Sequence, residues 1–200
     1  MARDLHVGAS DAVPELLRCR IPRPSIMSPS LPTVAVIGAG FSGTITAAHL
    51  LLRSNDRPIR VLLLDRTGRT GRRVAYGTTS ARHVLNVPAG RMSAFVGDED
   101  HFLRFAKGKD VSVVGGSFVP RRLYGDYLVA TLREAEQHAA HHGSVLEHRH
   151  AEVIDVTDAD EGEVVLHLAD GSTRAVDRAI VALGNFAPAN PPVPGAESFY

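Results

Sequence analysis

Cysteine is almost missing from this sequence. The single thiol, Cys19, has no partner for an internal disulfide, which excludes a secreted disulfide framework and a paired-thiol redox centre within these residues. Net charge is missing too. Lys+Arg and Asp+Glu are both 22, so no electrostatic argument favours DNA, RNA or an acidic membrane as the main partner. No apolar run approaches the roughly 18–20 residues that cross a bilayer, and the expected compartment is the cytoplasm. There is no nucleophile-elbow sequence with a Ser/His/Asp set, which leaves hydrolase chemistry without support. Repeats and low-complexity tracts are absent as well. What is present, 44% hydrophobic and 22% charged residues over 200 positions, is the composition of an ordinary globular domain, or of one domain with a small appendage.

Residues 1–32 differ from the remainder of the chain. They hold Pro14, Pro22, Pro24, Pro29 and Pro32 with Arg3, Arg18, Arg20 and Arg23, and show no clear period. The central apolar stretch of a signal peptide is lacking, while Asp4, Asp11 and Glu15 argue against a transit peptide. A disordered tail is expected, with Met27 as an alternative start.

Thr33–Gly38 (TVAVIG) reads as a buried parallel strand ending in glycine. A helix is expected from Ser42 to about Arg53, with Ile45, Ala48, His49 and Leu52 recurring at helical spacing. Asn55–Pro58 breaks it, and Ile59–Asp65 forms a second buried strand. Strand, glycine turn, helix and strand make a βαβ unit. Residues 66–97, rich in glycine, read as a long folded excursion, because Tyr76, Val84, Leu85, Val87, Met92 and Phe95 need burial; long ordered loops are usually functional. Asp98 is placed to cap a short helix reaching Lys107. Pro120 opens a longer helix whose apolar face comprises Leu123, Tyr127, Leu128, Thr131, Leu132 and Ala135, and Gly143 stops it. Ser144–Val156, Glu163–Leu168 and Thr173–Val176 read as three short strands, and Ala179–Gly184 as one more buried strand.

Gly38-x-Gly40-x-x-Gly43 sits where the first strand meets its helix. Gly38 permits the tight turn, Gly40 lets backbone approach a pyrophosphate, and Gly43 lets helix and strand pack closely. The loop Gly38, Gly40, Phe41, Ser42 and Gly43 then presents unpaired N–H groups and the positive end of the helix dipole to phosphates. Asp65, 22 residues beyond Gly43, ends the second strand. A carboxylate there accepts hydrogen bonds from the ribose hydroxyls of NAD or FAD and repels a 2′-phosphate, an exclusion that the neighbouring Arg66 softens. A glycine triplet alone is a weak signal; between a strand and a helix, with an acid at this distance, it is a strong one.

Two further segments are more specific. Gly77–Phe95, with His83, Leu85-Asn86-Val87-Pro88-Ala89 and Met92-Ser93-Ala94-Phe95, resembles a family of bacterial FAD/NAD(P)-binding proteins, as does Phe118–Leu128 (FVPRRLYGDYL). That family includes the FAD-dependent urate hydroxylase type and an aspartate N-monooxygenase type. The resemblance runs from about Thr33 to Pro194. It implies the α/β fold of two-dinucleotide flavoproteins: a Rossmann-type parallel sheet that binds FAD, a three-stranded β-meander crossover, and a closing strand that ends in an Ala-Thr-Gly-like sequence. Here that strand ends Ala182-Leu183-Gly184, which loses the hydroxyl and keeps the glycine. By the same resemblance Asn86, Val87, Met92 and Ser93 lie against or near the flavin ring, Arg121 and Tyr124 face the cofactor cleft, and Val153 meets the adenine through its backbone.

The implied activity is that of a flavin-dependent monooxygenase or hydroxylase using NAD(P)H, with FAD as cofactor and a small-molecule substrate. Members of the family continue well beyond this length, and no second GxGxxG occurs here. The expected organisation is therefore an incomplete domain over 33–187, with 188–200 starting the connection to a missing C-terminal half, which a separate chain could supply. Such a chain is expected to be inactive alone or dependent on a partner. Two other readings stay open: a single-Rossmann NAD-dependent dehydrogenase, which leaves Gly77–Phe95 unexplained, and a non-catalytic nucleotide-binding module. His138, His141, His142, His148 and His150 read as a solvated helix end and its surroundings rather than a metal site, and Arg69, Arg72 and Arg73 as a solvated loop, with contact to the cofactor's phosphates or an NADPH 2′-phosphate as the alternative.

Overall fold

The computed structural model describes residues 31–159 and 162–185. The tail expected over 1–32 lies outside the described residues except for its last two positions, and the connection expected over 188–200 lies outside them entirely.

The chain runs β1 (Thr33–Ile37), α1 (Phe41–Leu52), β2 (Arg60–Asp65), a 3-10 turn at Ala89–Arg91, α2 (His101–Lys109), α3 (Arg121–Ala140), β3 (Val145–His150), β4 (Val153–Asp158), β5 (Val164–Leu168), β6 (Thr173–Val176) and β7 (Arg178–Val181). Four strands form a parallel sheet in the order β3-β2-β1-β7, and β4-β5-β6 form a separate antiparallel sheet. β1 and β2 carry apolar side chains on both faces because both faces are covered. Val36, Val61 and Leu63 point to one side, against Ala47, Ala48 and Leu51 of α1 and Leu132, Ala135 and Ala139 of α3. Ala35, Ile37, Leu62 and Leu64 point to the other, against Leu166, Leu168 and Val176 of the meander. The period of two thus sorts one strand between two cores. The Rossmann-type sheet with a three-stranded meander is present as the sequence implied.

Several details differ from the expectation. Ser144–Val156 is not one strand. β3 joins the parallel sheet beside β2, the chain leaves it where the Ala151 amide donates to the Asp65 carbonyl at 3.2 Å, and β4 opens the meander at Val153. The buried face of α1 is Gly43, Thr44, Ala47, Ala48 and Leu51, with Ile45, His49 and Leu52 only half-buried. Small residues sit innermost because the helix is wedged between the sheet and α3. Asp98 does not cap α2, which starts after Asp100. Its carboxylate instead takes both guanidinium nitrogens of Arg104, at 2.8 and 2.6 Å. Pro120 precedes α3 rather than forming its first residue.

The excursion from 66 to 97 is anchored at both ends of its course. Gly71 donates to the Ala39 carbonyl (2.8 Å), Leu85 to Val119 (2.9 Å), Ala89 to Ser117 (2.9 Å) and Gly90 to Gly115 (2.9 Å). Its side chains join a third core with α2 and α3, in which Leu85, Ala89, Phe102, Tyr124, Tyr127 and Leu128 are buried. Of the residues expected to need burial, Leu85 is buried, Tyr76, Val87, Met92 and Phe95 are half-buried, and Val84 is exposed.

Candidate functional site

The glycine turn lies at the carboxyl ends of β1, β2 and β7, and each glycine has a distinct steric reason. Gly38 has φ 104, and a Cβ there meets the Ala182 carbonyl oxygen at 2.4 Å, just beyond β7. A Cβ on Gly43 meets the Gly38 oxygen at 1.7 Å, so only glycine lets α1 start this close to β1. Gly40 differs: its Cβ position is open except for the Arg73 stem, with Cγ at 3.5 Å and Cβ at 3.7 Å. Gly38 and Gly43 shape the turn; Gly40 keeps its front clear.

The turn is fixed from behind. The Gly38 amide donates to the Leu64 carbonyl at 2.8 Å, and the Ala39 amide to Asp65 Oδ2 at 3.1 Å. The buried Thr44 hydroxyl donates to the Ala39 carbonyl at 3.1 Å and accepts from the Gly71 amide at 3.2 Å. In front, α1 begins with no side-chain cap and no acidic residue in its first turn. The first carbonyl bond made inside it runs from the Thr44 amide to Gly40 at 3.0 Å. Among the described residues the amides of Gly40, Phe41, Ser42 and Gly43 have no acceptor. Bare donors at the positive end of a helix dipole form an anion site, and a diphosphate fits it.

Asp65 is buried, 6% exposed, at the end of β2. Oδ1 accepts from the Thr67 amide (2.7 Å), the Thr67 hydroxyl (2.6 Å) and Arg73 Nη1 (3.3 Å), and Oδ2 accepts from Ala39. Burial works against its ionisation, but the Thr67 and Ala39 hydrogen bonds and the Arg73 charge outweigh it and hold the carboxyl below its ordinary range. Arg66 is exposed and pairs with Glu152 at 3.7 Å. The arginines expected in a solvated loop divide: Arg69 is exposed, Arg72 is held by Asp126, and Arg73 folds inward over the turn.

The other candidate residues are dispersed around the excursion and the start of α3. Asn86 is exposed and Val87 half-buried, next to a bridge between Val84 and Pro120. Met92 packs on the third core. The Ser93 hydroxyl donates to the Asp98 carbonyl at 2.6 Å and accepts from the Phe95 amide at 3.0 Å, so it closes a turn. Arg121 donates from Nε to the Val84 carbonyl at 3.0 Å, and its amide to His83 at 2.7 Å, pinning the excursion to the start of α3.

Tyr124 corrects the expectation that it faces the cleft. It is 2% exposed, with ring centroids 4.8 Å from Tyr76 and from Phe102 and 5.3 Å from Tyr127. The spacing of three on α3 turns both tyrosines toward α2, and burial raises the phenol pKa of Tyr124. Phe41, 41% exposed, connects this stack to the glycine turn through Tyr76 at 6.1 Å. Val153 is paired with Leu168 beside an irregularity in the β4–β5 register, and Gly184 is exposed with φ 72 and no neighbour within 4 Å of a Cβ.

Geometry therefore gathers Gly38, Gly40, Phe41, Ser42, Gly43 and Asp65 in one place, adds two residues that sequence reasoning missed, Thr44 and Gly71, and brings in Arg73, for which the sequence favours a solvated loop over phosphate contact. Thr44 directly follows the last glycine, and its hydroxyl on a small-residue face was the available signal. Arg73 offered only its charge, because nothing periodic separates it from Arg69 and Arg72. Among the described residues no group of three or more His, Cys, Asp or Glu is placed to hold a metal ion. His138 bonds to Asn55 at 3.1 Å and stacks on His142.

A model of the FAD-NAD(P)-binding family matches residues 35–186, which include the turn, Asp65, the excursion and the meander. The chain belongs to that family. No curated protein matches the sequence itself. Among solved structures, a cyclohexanone monooxygenase mutant from Rhodococcus sp. Phi1 bound to NADP+ aligns with TM-score 0.53 and 20% identity, over 83% of this chain and 29% of that one. An atypical thioredoxin reductase from Desulfovibrio vulgaris Hildenborough aligns with TM-score 0.41 and 17% identity, over 80% and 38%. An oxidoreductase from Agrobacterium tumefaciens gives 0.42 and 19%, over 78% and 37%. The chain thus spans well under half the length of each of these structures. Membership of the family makes FAD and NAD(P) the relevant ligands, and the bare amides and the clear front of Gly40 fit the diphosphate that both contain. No helix among the described residues is long and apolar enough to cross a membrane.

Proposed function

We propose that this chain is the FAD-binding segment of a flavin-dependent, NAD(P)H-using monooxygenase acting on a small organic substrate in the cytoplasm. The observation that carries the reading is the opening turn of α1: four adjacent amides without partners among the described residues, on a turn held from behind. On this reading Gly38, Gly40, Phe41, Ser42 and Gly43 receive the diphosphate. Asp65 and Arg66 meet the adenosine ribose, and Val153 the adenine through its backbone. Asn86, Val87, Met92, Ser93 and Arg121 border the flavin, and Gly184 closes the domain. Tyr124 acts from beneath, supporting Tyr76 and Phe41.

Bound flavin supplies the two-electron and oxygen chemistry, while the chain positions the cofactor and keeps water from it. The oxygenase part is supported by the resemblance of Gly77–Phe95 and Phe118–Leu128 to hydroxylase-type proteins. On this reading the chain's own part in the reaction is to hold the cofactor.

The test is reconstitution of the purified protein with FAD and, separately, with NAD, read by flavin absorbance and by calorimetry. Uptake of FAD is expected. Tight NAD binding with no flavin uptake would replace the proposal by a single-Rossmann dehydrogenase. NADPH oxidation by the isolated chain far above that of free flavin would show that the segment turns over unaided.

A further inference from the structure

Asp65 has about four lone-pair positions to offer, and four donors already point at it: the Ala39 amide, the Thr67 amide, the Thr67 hydroxyl and Arg73 Nη1. Three of them converge on Oδ1 and one reaches Oδ2, so Oδ2 has a position open for one ribose hydroxyl, and crowded Oδ1 takes a second only once a donor leaves it. The Ala39 and Thr67 amides belong to the backbone and cannot leave without unfolding the turn, and the Thr67 hydroxyl is oriented by Arg73 itself, whose Nη1 donates to it. Arg73 makes the longest bond, 3.3 Å, through a flexible side chain that also reaches Thr67 Oγ1 at 3.2 Å. Its backbone is fixed, because the amides of Tyr76 and Gly77 donate to its carbonyl at 3.1 and 2.7 Å. Its stem lies beside Gly40, with Cγ 3.5 Å from a Cβ there. The neighbouring cations are committed elsewhere, Arg72 to Asp126 and Arg66 to Glu152.

Resting on the diphosphate reading of the turn, we infer that Arg73 is a latch. Without ligand its guanidinium pairs with Asp65 across the turn. When a dinucleotide arrives, the guanidinium transfers from the carboxylate to the diphosphate. That exchange supplies a cation to the phosphates, a bidentate match suited to arginine, and frees an acceptor on Asp65 for the ribose. No covalent bond is made or broken; one ion pair replaces another. Arg73 is then a positioning residue that selects for ligands carrying both a ribose and an adjoining diphosphate.

ADP and adenosine separate the two halves of the exchange. For the wild-type chain, Arg73→Gln and Arg73→Lys, ADP is titrated by calorimetry, and adenosine at millimolar concentration is read as a shift in melting temperature. Arg73→Gln is expected to weaken ADP by about tenfold to a hundredfold, the loss of one hydrogen bond to a charged group. Its adenosine response should equal or exceed that of the wild type, because Asp65 is already released. Arg73→Lys, which keeps the charge without the fork, should fall between. If ADP and adenosine weaken together, Arg73 is only a structural brace and the latch is overturned; unchanged ADP binding overturns it equally. A wild-type chain that binds neither ADP nor FAD would overturn the diphosphate reading itself, a distinct outcome from ADP binding that ignores Arg73.

Discussion

Gly40 and Gly43 lie three residues apart, and replacing them should have opposite consequences. A methyl on Gly43 arrives 1.7 Å from the Gly38 oxygen and 2.9 Å from its carbonyl carbon. Both are backbone atoms, so no side chain can swing aside, and α1 must retreat from β1 by roughly 1 Å or more to reach ordinary contact. Overpacking of this kind costs about 1–3 kcal/mol or more, a large share of the roughly 5–15 kcal/mol that holds a domain folded. Gly43→Ala should therefore show a clear loss of stability. Gly40→Val places its Cβ 3.5 Å from a flexible Arg73 methylene, and φ −72 with ψ −160 suits a branched residue. Losing glycine as the helix cap costs up to about 1 kcal/mol, and the stiffer unfolded chain returns roughly 0.4–1 kcal/mol. Stability should stay within about 1 kcal/mol of the wild type.

Binding reverses the order of interest. Valine branches stand where a diphosphate must approach the amides of the turn, and losing two hydrogen bonds to a charged group, at about 1.5–3 kcal/mol each, weakens FAD by roughly a hundredfold to ten-thousandfold. Urea unfolding and FAD titration by flavin fluorescence measure the two effects on the same preparations. Gly40→Val that keeps its affinity refutes the diphosphate cradle. Gly43→Ala that unfolds at the wild-type midpoint refutes the steric reading of the turn.

Asp65 makes acid stability testable: its folded pKa is depressed, so its contribution is complete above the unfolded value near ~3.9 and disappears as pH falls through the lower folded one. The difference in urea midpoint between the wild type and Asp65→Asn should be largest near neutrality and shrink toward acid; a pH-independent difference would contradict this. Thr44→Val removes the hydroxyl that joins Ala39 to Gly71 and should cost about 1–2 kcal/mol in urea unfolding, with faster amide exchange at Gly71. Tyr127→Phe deletes the hydroxyl that accepts from Ala94 at 3.2 Å and bonds to His101 Nδ1 at 2.8 Å, and should cost roughly 1–2 kcal/mol while loosening residues 93–95 in hydrogen exchange.

Local chemistry made much of this molecule readable. β1 and β2 are short β-branched and leucine-rich runs bounded by a glycine turn and a proline break, so their burial follows from composition. Asp170-Gly171 set the β5–β6 hairpin, where Ser172 bonds to the Asp170 carboxylate. The failures come from partners distant in sequence. Nothing within Ser144–Val156 says which sheet a residue will join; the break at Ala151 depends on the Asp65 carbonyl across the sheet. Asp98 had the look of a helix cap, yet Arg104, six positions on, offers two charged donors against one amide. Tyr124 sits in a resembling motif, but the ring of Phe102 on another helix decides its burial. Arg73 is the plainest case, since its meaning depends on Asp65 and Gly40 at once.

The arrangement of bonds around the turn explains why its amides can stand bare. The Gly38 and Ala39 amides, the Ala39 carbonyl and the Thr44 hydroxyl all direct their hydrogen bonds toward the sheet and the excursion. The turn is therefore held without help from anything in front, and the Gly40–Gly43 donors keep their aim whether or not an acceptor is present. Donors oriented beforehand spare a ligand the ordering cost that otherwise subtracts from affinity. Charge follows the same logic in reverse. The carboxylate that would repel a diphosphate is neutralised by Arg73, and Arg73 combines a fixed backbone with a flexible side chain. Rigidity in the amides and mobility in a single cation are complementary: the first fixes where a diphosphate sits, and the second changes the local charge to suit its arrival.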